Sequence, residues 1–401
     1  MRAVRSFRAF VEIRGPQGFI APSKTCDGHH FDGRVASTFD SLRAPNRAIA
    51  YHAVMKLTEL GSFDATHHNL AWPWIAIDPT GRRFAFVAIG QVETRILAPS
   101  GNHLETGPSF TLPADLQLPT IPALPTGHRG TPTGVHGLAI DPGGEWLAVT
   151  GMVDGTSVVV TMGAAGEQRR SSLTALAGAD FIAHAITFDR TGSRIWLSAE
   201  NGEETALVLV DAMTHEVLGV VRSAPFPPPS FHELHVHPQD DAVLLLAACG
   251  QDGTFARVAG FADGPPEAVA TALDTGSVPC GFVGFSTDGA RVHLVEADEL
   301  RTHAWPGLQE LSSVELADDF VSSYAGAVLG HRILLDGHDS ETGDFDSVMV
   351  FDRAAIHGAI AKDPVPSGMW VGRLGSDAIV TVSAAGEPAR GAVVRIEAPA
   401  N

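Results

Sequence analysis

One phrase recurs along the chain and constrains its fold more than any other feature. An alternating apolar strand runs into a tight turn of the Asp-Pro-x-Gly kind, and a second apolar strand follows. It reads IAIDPTGRRFAFVAIG at 75–90, LAIDPGGEWLAVTG at 138–151 and ITFDRTGSRIWLSAEN at 186–201. Further copies are LHVHPQDDAVLLLAACG at 234–250, VGFSTDGARVHLVEA at 283–297 and two degraded ones at 325–337 and 370–384. Their first turn residues are Asp78, Asp141, Asp189, His237, Ser286, Gly330 and Gly375, with steps of 63, 48, 48, 49, 44 and 45.

Periods of about 40–50 residues with period-2 alternation match four-stranded propeller blades, whereas helical repeats of that length would carry a 3.6-residue period. Asp-Gly and Pro-Gly turns favour hairpins. The long step of 63 is explained by the Pro-rich insertion LPADLQLPTIPALPTGHRGTP at 112–132, which reads as a loop. Seven copies therefore predict an all-β, seven-bladed β-propeller. The segment AIAYHAVMKLTEL at 48–60 resembles an outer strand with no blade of its own. As an N-terminal strand completing the last blade it would close the ring and protect sheet edges. Residues 48–401 form the expected propeller domain, and residues 1–47 an N-terminal extension with a strand-like run at Phe7–Ile13 and the loop sequence CDGHHFDG.

Composition narrows the partners. A net charge of −19 repels phosphate backbones, so nucleic acid is not expected. No stretch reaches the roughly 18–20 apolar residues of a membrane span. The N-terminal MRAVRSFRAFVEIRG has no apolar core of a signal peptide, so a cytoplasmic location is expected. Cys26, Cys249 and Cys280 sit in no CxxC spacing; the latter two are expected to be buried small hydrophobes. No GxSxG, P-loop or dinucleotide fingerprint is present.

In a propeller the start of the inner strand and the loop after the second strand share one face, here called upper. Five residues before the turn, three consecutive blades carry His136, His184 and His232, spaced 48 and 48. Pro73, Gly281, Ala325 and Trp370 hold that position elsewhere, and His67 and His68 lie just before the first copy. Three imidazoles at one mouth, with His68 as a fourth nitrogen donor, suit a divalent transition metal: iron, copper or zinc. The alternative is that each imidazole bonds a neighbouring blade at the rim. His235 and His237 are expected to be strand and turn residues. The following loops are acidic, with Asp154, Glu200, Glu203, Glu204, Asp252, Glu296, Asp298, Glu299, Asp336 and Asp339. Glu200 and Glu296 end strands near the channel and are the candidate proton-transfer groups.

VHGLAIDPGGEWLAVTG, AHAITFDRTGSRIWLSAEN and FHELHVHPQDDAVLLLAACG resemble the repeats of bacterial YVTN-type and lactonase-type seven-bladed propellers, over most of 70–300. The resemblance implies that architecture and, for activity, a lactone hydrolase, a lyase or a non-enzymatic binder. Lactonase-like members place a glutamate after the second strand, which Glu200 matches, and pair the histidine with an arginine. Here Val135, Ala183 and Phe231 precede the histidines. The geometry is also similar to propellers that hold iron with histidines from several blades, as carotenoid-cleaving oxygenases do. The expected function is thus a metal-dependent enzyme acting on a small molecule at the channel mouth, by hydrolysis or oxidation. The alternative is a non-catalytic propeller that binds a protein partner or a metal.

Overall fold

The computed structural model describes residues 56–65, 75–88, 91–116, 134–178, 180–227, 231–249, 252–260, 266–274, 280–296, 298–316, 320–339, 345–351, 369–382 and 389–397. They form seven antiparallel sheets, six of four strands and one of three. Blades are numbered here by the order of their inner strands: Ile75–Ile77, Gly134–Ile140, Ile182–Phe188, Phe231–Val236, Gly281–Phe285, Phe320–Leu329 and Met369–Leu374. In blades 1 to 5 each sheet is a meander whose strands pair in chain order. Among the described residues blade 6 has three strands, ending at Phe345–Phe351.

Blade 7 confirms the expected ring closure. Its outer strand is Lys56–Ala65, antiparallel to Ala389–Glu397, with Leu57 opposite Ile396 and Phe63 opposite Gly391. This strand overlaps the 48–60 segment proposed from sequence over 56–60 and runs on to Ala65, where Phe63 packs against Phe84 and Phe86 of blade 1, while 48–55 lie outside the described residues. No helix among the described residues is long and apolar enough to cross a membrane.

The core lies between blades. Seven apolar clusters fill the seven seams, such as Trp196, Leu207 and Leu209 of blade 3 against Val243, Leu245 and Ala247 of blade 4. Second strands are covered on both faces and are buried almost throughout, as at Trp146–Val153 and Arg194–Glu200. Outer strands such as Glu310–Glu315 are mostly exposed. Each fully buried Leu, Val or Ile in such a seam is worth roughly 1.5–3 kcal/mol.

The repeated turn works through its first residue. Asp78 accepts the backbone N–H groups of Thr80, Arg82 and Arg83 on its two carboxylate oxygens, and Asp141 accepts those of Gly143 and Trp146. Gly144 and Gly192 each adopt φ of +75°, which a side chain would oppose. The loop assigned to Asp336 and Asp339 begins later than the sequence suggests: both belong to the second strand of blade 6, Arg332–Asp339, and Asp336 is buried there.

Candidate functional site

The upper end of the seam between blades 3 and 4 brings together three of the residues singled out from sequence, and it does so through an irregularity. In blade 3 the ladder slips at His184: Ala183 pairs with Ala199, and Ala185 pairs with Ser198. A bulge of this kind leaves one residue unpaired and redirects its side chain. In blade 2 the same slip falls at His136, between the Val135–Gly151 and Gly137–Thr150 pairs. Blade 4 has no slip, and His232 sits in a regular ladder opposite Ala247. Counted from the turn, the blade 3 residue in register with His232 is therefore Ala183.

The rings of His184 and His232 nevertheless stack, with centroids 4.4 Å apart and planes inclined by 28°. The His232 side chain is fully covered, and its Nδ1 is hydrogen-bonded to the hydroxyl of Ser198 in blade 3 at 2.5 Å. Its Nε2 lies 3.3 Å from Glu200 Oε2, too far off line for a hydrogen bond. A serine hydroxyl both donates and accepts, so it can satisfy Nδ1 whichever ring nitrogen carries the proton. The bond to Ser198 occupies Nδ1 in either tautomer, and Nε2 is the nitrogen that faces Glu200.

Glu200 ends the second strand of blade 3. Its charge and that of Asp252 add to burial in pushing the Cys249 thiol up to about 11. Arg257, on the third strand of blade 4, lies over the Phe226 ring at 3.9 Å and donates to Ala224 O and Ser223 Oγ, holding the loop that leads into blade 4. Phe226 in turn meets His232 edge-on at 5.3 Å. Ser198, Phe226 and Arg257 were not singled out from sequence. Ser198 lies mid-strand, and only the cross-strand register aims it at His232.

Glu296 belongs to a different place, at the upper end of blade 5. It is 3% exposed, with Oε1 3.0 Å from Arg301 Nε but no donor aligned on that oxygen. Burial pushes its pKa up to about 7, against the pull of Arg301 and with further upward pushes from Glu299, Asp298 and Glu310. The neighbouring Cys280 thiol is buried and pushed up to about 12. Both Cys249 and Cys280 are buried free thiols, the inert state expected of them.

His235 and His237 take the strand and turn roles expected. His235 stacks on Phe282 of blade 5 at 3.7 Å and contacts Glu233 at 3.0 Å. His237 Nδ1 accepts the N–H groups of Gln239 and Asp240, while Nε2–H donates to Gly289 O at 2.8 Å. Desolvation lowers its pKa.

The proposed metal set is therefore distributed as follows. His184 and His232 meet, and only the backbone position of His136 is described. His68 and the CDGHH segment lie outside the described residues. Among the described residues no group of three or more His, Cys, Asp or Glu side chains is arranged to hold a metal ion.

No family model and no curated protein matches the chain. Among solved structures it is similar to the WD40 domain of SCAP from fission yeast, with 9% identity, a TM-score of 0.48 and 82% of each chain covered.

Proposed function

We propose that this chain is a non-catalytic propeller that binds a partner protein at its upper rim, through loops of blades 2 to 5. The observation that carries this reading is the mutual engagement of His232, Ser198 and Glu200 inside the seam. A buried imidazole bonded across blades is a fastener, and the groups left open to a partner are the loop carboxylates around it. Asp154, Glu203, Asp252 and Asp298 are all exposed on that face. On a chain of net charge −19 they favour a cationic segment of the partner, recognised by complementary charge and steered by it.

The test is titration calorimetry of the full chain with a Lys/Arg-rich peptide and with its Glu-rich counterpart. Binding of the cationic peptide alone, weakening as salt rises and in an Asp154→Asn/Glu203→Gln/Asp252→Asn variant, is the expected result. Failure of the cationic peptide to bind at low salt overturns the reading. So does a stoichiometric equivalent of iron, copper or zinc in protein purified without a His-tag, if it is lost in His184→Ala.

A further inference from the structure

The loop between the second and third strands of blade 3 carries the one Asn-Gly step in the sequence, Asn201-Gly202. Asn46, Asn69 and Asn102 are followed instead by the larger Arg47, Leu70 and His103. The loop closes a hairpin in which Glu200 pairs with Thr205 and Asn201 N–H donates to Glu204 O at 3.2 Å. Gly202 and Glu203 are exposed at its tip. Gly202 has φ of +83°, and a Cβ added there would meet nothing within 4 Å, so the space around this residue is open.

The side chain of Asn201 is held by the same loop. Its Oδ1 accepts the backbone N–H groups of Glu203 and Glu204, each at 2.9 Å. An ion pair between Arg222 and the Glu204 carboxylate anchors the residue that supplies the second donor. Two N–H groups on one carbonyl oxygen polarise it and stabilise negative charge that develops there, the arrangement of an oxyanion hole. The nucleophile belongs to the chain: the Gly202 nitrogen can close a five-membered ring on Asn201 Cγ, an intramolecular attack that needs no diffusional encounter. Glycine at 202 sets no side chain beside the attacking nitrogen.

We infer that Asn201 is a site of self-catalysed deamidation in the folded chain. The Gly202 nitrogen releases its proton to solvent and bonds to Asn201 Cγ, while charge gathers on Oδ1 between its two donors. The Cγ–Nδ2 bond then breaks, and Nδ2 takes up a proton and leaves as ammonia. Water hydrolyses the resulting cyclic imide at either carbonyl, which restores the Gly202 N–H and gives aspartate or isoaspartate at 201. Each event replaces a neutral amide by a carboxylate on the acidic upper rim, between Glu200 and Glu203 in the chain. The reaction is independent of any partner bound there.

The experiment is incubation of the full chain in mildly alkaline buffer, followed over days by peptide mass mapping, isoaspartate detection and assay of released ammonia. The peptide that contains Asn201 should convert from amide to acid well ahead of Asn102, the other asparagine among the described residues. Gly202→Ala, which fits the open space at the loop tip, should slow the conversion about tenfold or more. In urea the two donors on Oδ1 are lost, so conversion there should be slower than in the folded chain. The inference is overturned if Asn201 stays an amide or converts no faster than Asn102. It is equally overturned if unfolding speeds the conversion, or if Gly202→Ala converts at the parent rate.

Discussion

His184 and His232 stack face to face across the seam between blades 3 and 4, although their strands place them one ladder position apart. The bulge at His184 supplies the missing residue of reach, and Ser198, the residue after the slip, is the one that bonds His232. The seam is thus fastened by a side-chain bond between blades where apolar packing ends. Ser198→Ala should cost about 1–3 kcal/mol in urea unfolding, since it strands a buried ring nitrogen. Ser198→Thr, which keeps the hydroxyl, should recover part of it. If Ser198→Ala unfolds like the parent, the bond does not fasten the blades.

His237 stands where blades 1 to 3 have aspartate, and its Nδ1 does the same work as their carboxylates by accepting turn N–H groups. It adds two contacts that aspartate lacks, the Nε2–H bond to Gly289 O and a parallel stack on Trp305 at 4.7 Å. His237→Ala loses all of these and should be destabilised by about 2–3 kcal/mol. His237→Asp keeps the acceptor and should lose about 1 kcal/mol less than His237→Ala. Equal losses in the two variants would mean that the stack and the Gly289 bond, not the turn, account for this histidine.

The architecture was legible because it is written in local chemistry. The turn residues Asp78, Asp141 and Asp189 and the flanking alternation announce each inner hairpin, and after the first step of 63 the copies recur every 44 to 49 residues. Ring closure was legible in the apolar run 48–60, but its extension to Ala65 was not, since only the packing of Phe63 against Phe84 and Phe86 brings those residues into the blade. The site was harder to read. Equal spacing of 48 residues between histidines says nothing about a one-residue slip in the ladder, and that slip gives His184 and His232 different backbone settings. Ser198 and Arg257 become visible only once two blades are side by side, because each acts on a residue more than thirty positions away.

Two buried groups should give the stability of the fold an unusual pH profile. Glu296 holds its proton up to about 7 in the folded chain, against 4.5 when free. Its contribution is therefore fully present below about 4.5 and is lost as pH rises through 7. His215 runs the other way. Its ring is 5% exposed between Thr161 and Ser171, bonded to both, and burial, aided by Arg169, lowers its pKa to about 4 from 6.5. That contribution is present above 6.5 and is lost as pH falls through 4. Each effect is worth roughly 3 kcal/mol, so in the parent protein they offset each other across the mildly acidic range. Glu296→Gln removes one of them while leaving Arg301 its partners Glu299 and Glu310. In denaturant titrations from pH 4.5 to 8 this variant should match or exceed the parent at pH 8 and lose stability steadily toward acid. A variant profile parallel to that of the parent would show that Glu296 titrates like an ordinary surface carboxylate.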